Sequence, residues 1–134
     1  MYGSLDIATS GLVAQRMRLT VISNNLANRE TLLDAKGNYA PYRRQEVLLA
    51  PGDPSSGREM GVHIAGIEKD DGELLARYLP DSPFADAQGY VGYPNVDPVI
   101  EQMNGMEALR AYEANIAVVE ATKSMISVAL QVLA

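Results

Sequence analysis

The chain has 134 residues, 47% of them apolar and 21% charged, which is enough apolar material for one folded domain and too ordinary a balance for wholesale disorder. Eleven basic against seventeen acidic residues leave a net charge of -6, the wrong sign for a general nucleic-acid binder. With no Cys and a single His, disulfides, thiolate zinc sites, thiol nucleophiles and imidazole chemistry have almost nothing to be built from.

The first residues, Met1 to Asp6, lack the basic stretch, apolar run and small-residue cleavage site of a secretory signal. No stretch of the chain approaches the roughly 18 consecutive apolar residues of a bilayer span. Neither a cleaved signal nor a direct membrane span is expected. Leu5, Ala8, Leu12, Gln15, Leu19, Ile22 and Leu26 then recur at alternating spacings of 3 and 4, one seam of a helix with Gln15 its only polar member. Asn24, Asn25 and Asn28, followed by Thr31, suit a helix end and the turn beyond it, because Asn tolerates left-handed backbone and bonds locally. The helix is predicted over about residues 4 to 28, within an N-terminal segment of residues 1–31.

Residues 32–96 read as a small β-rich middle domain, since all seven Pro lie between 41 and 98 and eight of the eleven Gly between 37 and 92. Tyr42 to Leu49 suggests a strand, and the Pro-Gly-Asp-Pro-Ser-Ser-Gly run at 51–57 a loop. Val62, His63 and Ile64 alternate, Gly66 marks a bulge or bend, and Leu74, Ala76 and Tyr78 alternate beyond Asp70-Asp71-Gly72. This pattern predicts a hairpin with strands near 62–69 and 73–79. His63 falls in phase opposite to its apolar neighbours and is expected to face solvent. The acidic Asp70, Asp71 and Glu73 lack the frame of a calcium loop, and Arg43-Arg44 is too small a basic patch to mark a binding surface. No phosphate-cradling glycine loop, nucleophile elbow or zinc spacing occurs, so no catalytic, cofactor or metal site is expected.

The final segment, residues 97–134, opens with Asp97-Pro98, an N-cap followed by a proline whose missing N–H is not needed in the first turn. Leu109, Tyr112, Ile116, Val119, Lys123, Ile126, Leu130 and Leu133 form a second seam, and the proline-free run predicts a helix of about 36 residues, roughly 54 Å long. Lys123 has two readings: a lone charge that sets register or partner choice, or an exposed side chain outside a seam displaced by one residue. The fold class is α+β, with both long terminal helices packed as a coiled coil or bundle around their seams. Met103, Met106, Val118, Met125 and Val128 would be only partly covered by two helices alone, so helices of neighbouring subunits are expected to complete the bundle. The expected assembly seams are therefore Leu5, Leu12, Leu19, Ile22 and Leu26 in the first helix and the eight residues from Leu109 to Leu133 in the second.

Particular words in this sequence also resemble a known family. Thr9-Ser10-Gly11-Leu12, followed by Asn24-Asn25-Leu26-Ala27-Asn28 and Thr31, is similar to the shared N-terminal signature of the bacterial flagellar rod and hook proteins. Arg110-Ala111-Tyr112-Glu113-Ala114-Asn115 resembles their C-terminal signature. Gly89-Tyr90-Val91-Gly92-Tyr93-Pro94-Asn95-Val96, with Glu101 and Met103, looks like the word of the proximal-rod branch of that family, with Leu26 and Ser82 as local departures. The resemblance implies a non-enzymatic structural subunit without cofactors, whose terminal helices assemble helically with copies of itself and with FlgB-type, FlgF-type and FliE-type neighbours. It further implies a rod in the periplasm that transmits torque and lines the export channel, reached through the flagellar type III export apparatus. Asn24, Asn25, Asn28 and Thr31 would then serve as turn-forming and inter-subunit hydrogen-bonding residues. The rival reading from another class is a coiled-coil adaptor or secretion chaperone forming a compact oligomer.

Overall fold

The structure, a computed structural model, describes residues 2–134. Two helices, α1 (Tyr2–Ala27) and α2 (Pro98–Leu133), enclose in sequence four strands, β1 (Gln45–Asp53), β2 (Arg58–Lys69), β3 (Leu75–Tyr78) and β4 (Tyr90–Tyr93). Helix α2 starts where the proline predicts: Asp97 Oδ1 accepts from the backbone N–H of Val99 at 2.9 Å and of Ile100 at 3.4 Å. Helix α1 ends in a turn in which both the backbone N and the Nδ2 of Asn28 donate to the Asn24 carbonyl, at 3.0 and 2.8 Å.

The helices run antiparallel, with Gly11 opposite Asn115, Ile22 opposite Gly105 and Asn25 opposite Glu101. At Gly11 a Cβ would lie 2.7 Å from Asn115 Nδ2, so the missing side chain is what lets the Asn115 amide close on α1. Continuing the same register places the start of α1 beside residues near 122, and the last two turns or so of α2 run past it. Within α2, Glu101, Ala108 and Thr122 are fully buried, with Gly105, Tyr112, Asn115, Val119, Ile126 and Ala129 half-buried between and beyond them. The side facing α1 is therefore a heptad seam that shares Tyr112, Val119 and Ile126 with the predicted one. Its other column lies one residue earlier, at 108, 115, 122 and 129. Leu109, Lys123 and Leu130 are correspondingly exposed, Ile116 sits half-buried at the margin, and Leu133, in the shared column, is exposed because α2 runs past the start of α1 there. The displacement has a physical cause: α2 is apolar on two sides, so spacing alone does not distinguish adjacent columns. By length and composition alone α2 is also apolar enough to cross a bilayer, although its apolar residues do not form the unbroken run sought in the sequence.

The β-hairpin forms one loop earlier than the sequence predicts. Strand β2 pairs antiparallel with β1, Gln45 opposite Lys69 and Pro51 opposite Val62, and the connection is the Pro54–Gly57 turn. Asp53 organises it by accepting from the Ser55 N–H at 3.0 Å and from the Ser55 and Ser56 hydroxyls at 2.6 Å each. The bulge expected at Gly66 is present: Leu48 pairs with Gly66 and Leu49 with Ile64, leaving Ala65 as the extra residue. Asp70-Asp71-Gly72 is a corner between two sheets and not a hairpin turn, because β3 leaves β2 and pairs instead with β4, Leu75 opposite Tyr93 and Tyr78 opposite Tyr90. The turn chemistry is real, Asp70 Oδ1 accepting from Gly72 N at 2.8 Å, but it carries no information about which strand comes next to which.

His63 also departs from expectation. It is half-buried on the bulged strand, and its Nδ1 lies 2.9 Å from the Gly52 carbonyl, which requires that nitrogen to carry the proton.

Candidate assembly surface and the polar node beneath it

Hairpin β1–β2 lies against α1, and one contact between them comes from Ser10. Its hydroxyl donates to the Ile7 carbonyl at 2.6 Å and accepts from Val62 N at 3.2 Å. The strand is brought this near by Gly61, at φ +90°, where a Cβ would lie 2.9 Å from Ser10 Oγ. Between the N-terminal half of α1 and the hairpin remains an open groove of about 850 Å³ walled by Ile7, Val13, Met60, Val62 and Ile64.

At the other end of α1 sits a cluster of polar groups out of water. Asn25 is 0% and Glu101 1% exposed. Asn25 Oδ1 accepts from Tyr42 Oη at 2.7 Å and from Gln45 N at 2.9 Å, while its Nδ2 donates to the Gln45 carbonyl at 2.8 Å and to Glu101 Oε2 at 3.3 Å. The Arg44 Nε donates to Glu101 Oε1. Burial by itself would lower the Arg44 guanidinium, but the hydrogen bond and negative charge of Glu101 outweigh it and hold the group above its ordinary range. Tyr42 is pushed up, first by burial and then by the Glu101 charge, which keeps its hydroxyl a donor to Asn25. Among the described residues no buried side-chain polar atom lacks a partner, so the cluster is fully satisfied. It joins α1, the start of β1 and the first turn of α2 at one point.

The signature words are thereby distributed over specific tasks. Asn25, expected at a turn or an inter-subunit bond, is instead saturated inside the chain. Asn24 and Asn28 terminate α1, and Thr31 Oγ1 donates to Asn28 Oδ1 at 3.1 Å. In the third word, Gly89 at φ +87° closes a turn around Asp86, whose Oδ1 accepts from Gln88 N and Tyr90 N at 2.9 Å each. Tyr90 packs edge-on against Tyr78, Tyr93 lies beneath the Arg77 guanidinium at 4.2 Å, Val91 and Pro94 are buried, and Asn95 is exposed. Ala27 and Arg110 are exposed, and Leu12 is half-buried. Glu101, Arg44 and Tyr42 escaped sequence reading as a unit. An acidic first-turn residue is ordinary dipole chemistry, and nothing local says that it is buried.

On the molecule's outside, Leu5, Leu19, Ile22 and Leu26 are half-buried, whereas α2 exposes a second stripe on the side away from α1. Val99, Met103, Met106, Val118, Met125, Val128 and Val132 follow helical spacing along it, all between 46% and 79% exposed, with Ala114, Ala117 and Ala121 at its middle. Total accessible surface is 9103 Å², against about 6,900 Å² expected for a compact chain of this mass. Among the described residues no group of three or more His, Asp or Glu side chains is placed to hold a metal ion.

A thin antiparallel helix pair that keeps an apolar stripe open along its length defines a subunit of a larger assembly. Residues 5–31, most of α1 and the turn after it, match the family model for flagella basal body rod protein, and residues 87–132 match that for the C-terminal part of flagellar basal body rod FlgEFG proteins. The chain is 40% identical over 150 residues to the flagellar basal-body rod protein FlgC of Borreliella burgdorferi, covering 99% of this chain and 97% of that protein. It is 37% identical to FlgC of Bacillus subtilis, covering 98% and 97%, and 42% identical to FlgC of Salmonella typhimurium, covering 90% and 88%. This chain belongs to the flagellar basal-body rod protein family, and the relatives it matches across nearly its whole length are FlgC proteins.

Proposed function

We propose that this chain is a structural subunit of the flagellar basal-body rod, working by packing and not by chemistry. The observation that carries this reading is the open stripe of α2. About a third more surface than a compact chain would show, much of it apolar and arranged along one helix, is covered when helices of neighbouring subunits pack against it. Contacts that repeat head to tail generate an open helical array, and interdigitated apolar side chains spread along tens of ångströms resist slipping under torque. Leu109, Lys123, Leu130 and Leu133, which do not face α1, then belong to contacts between subunits, together with the Met103–Val132 stripe.

In the finer reading the partners are further copies of this chain and FlgB-, FlgF- and FliE-type rod proteins. The rod lies in the periplasm around the export channel, and the subunit reaches it through the flagellar type III export apparatus. Limited proteolysis of the purified full-length chain tests the central idea. Rapid cutting near residues 1–30 and beyond about 100, with a resistant middle fragment, is expected if the helices depend on assembly. Protection of the whole chain in a small, discrete oligomer would overturn it in favour of an adaptor or chaperone.

A further inference from the structure

Where α1 and α2 meet most closely, the side chains are small or absent. Gly11 takes Asn115, Gly105 lies 3.7 Å in Cβ position from Ile22 Cγ2, and the fully buried residues of α2 beyond its first turn are Ala108 and Thr122. The seam repeats every seven residues, so moving α2 along α1 by one heptad, about 10.5 Å, keeps Ala108 and Thr122 against α1 but brings Tyr112 to the place of Gly105 beside Ile22. Packing at Gly105 therefore opposes such a slip by bulk alone. The charged pair at the end of the interface does not repeat either, and it alone reaches the middle region. Seven residues after Glu101 stands Ala108, and seven before it lies Pro94, outside the helix. A slipped α2 therefore separates the Glu101 carboxylate from Arg44 and from Asn25.

We infer that the Asn25–Arg44–Glu101 node is a positioning device that fixes the register of the two helices and ties it to the docking of the middle hairpin. Asn25 is bonded to the Gln45 backbone at the start of β1 through both its amide atoms, and Arg44 directly precedes that strand, so the entry to β1 is the bridge between α1 and α2. Undocking the hairpin takes Arg44 from the Glu101 carboxylate, and shifting α2 takes the carboxylate from Arg44, so the two movements share one contact and are coupled through it. Buried ionic groups are often replaceable by apolar residues without loss of stability, and setting register is their best-attested purpose. The register matters to assembly, because it determines how far the open stripe of α2 projects past α1.

The chain contains no Cys, which makes engineered thiols clean reporters. Two full-length reporters are compared at concentrations where only intramolecular bridges form: Ile22→Cys with Gly105→Cys for the observed register, and Ile22→Cys with Tyr112→Cys for the slipped one. With the node intact, the first pair should close at least about tenfold faster, since the second lies beyond bridging distance. Combining Asn25→Leu, Arg44→Met and Glu101→Leu should preserve helical circular dichroism while reducing that preference to about threefold or less. Arg44→Gln, which keeps a donor beside Glu101, should fall between. An unchanged preference in the triple variant overturns the inference. So does loss of its helical signal, which would make the node a source of stability and not of register, and so does equal closure of both pairs with the node intact.

Discussion

Along α2 the fully buried residues are Glu101, Ala108 and Thr122, while Val132 and Leu133 lie 79% and 83% exposed. In the middle region burial is of a different kind: Val91, Pro94 and Val96 are buried while Met60 and Tyr78 are exposed, Tyr39 stacks on Phe84 at 5.3 Å, and polar side chains organise the turns. Tyr39 Oη donates to the Gly92 carbonyl at 2.7 Å, and Arg77 lies over Tyr93 while reaching Glu30 at 3.5 Å. Sheet β3–β4 is thus pinned by specific pairs to side chains from before β1, although every residue of β3 stays exposed. The helices leave their larger apolar side chains outward and bury small or polar ones. The difference separates what completes a subunit from what joins subunits together.

The comparison breaks most visibly at the one place where the regions share a buried charge. Glu101→Ala takes the shared acceptor from the part-buried Arg44 and the buried Asn25 and should cost about 3 kcal/mol, measured by chemical denaturation of the full-length chain. Replacing Met125 by Asp should behave in the opposite manner. The monomer should keep its stability to within about 0.5 kcal/mol, because the side chain is exposed, while association weakens by about 2 kcal/mol per contact, read by sedimentation. A variant that unfolds the monomer instead would show that the stripe is internal. Val91→Ala, in the middle region, removes two buried methyl groups and should cost about 2 kcal/mol without altering association. Asp97→Ala loses the cap of α2 and should cost about 1 kcal/mol, visible as fraying of its first turn in amide exchange.

The smallest effect is local to the β1–β2 turn. Hydrogen bonds from the Ser55 and Ser56 hydroxyls lower the Asp53 carboxyl from its ordinary 3.8 to about 2. A depressed carboxyl contributes its stabilisation above 3.8 and loses it as pH falls toward 2, so the turn should loosen within that window. Carbon-detected titration of Asp53 checks this, and Ser55→Ala with Ser56→Ala should return the midpoint toward the ordinary value.

How much of this was legible depended on whether a residue's task is local. The Asp97-Pro98 cap, the asparagine end of α1, the length of α2 and the bulge near Gly66 are settled by neighbours in sequence, and the sequence shows them. Spacing points one column away from the face of α2 that meets α1, because Leu109, Leu130 and their neighbours satisfy the same spacing as Ala108 and Ala129. Small residues give periodicity little weight even where they are the ones that touch. The hairpin was placed after Asp70-Asp71-Gly72 because turn chemistry is local, whereas β1–β2 and β3–β4 pairing is decided by what else each strand meets. The node was invisible for the same reason: Asn25 and Glu101 stand 76 positions apart.

That separation has a kinetic consequence. Nearly all the intramolecular cover available to α1 from a helix comes from residues beyond 100, so closing the pair means closing a loop that contains the whole middle region, an intrinsically slow step. Until the last segment has been made, α1 is an isolated helix of 26 residues with no helical mate, free to fray and refold many times. The β1–β2 hairpin, closed by the four-residue turn at 54–57, has no such wait, so the chain meets its late-arriving partner helix with one ribbon already paired.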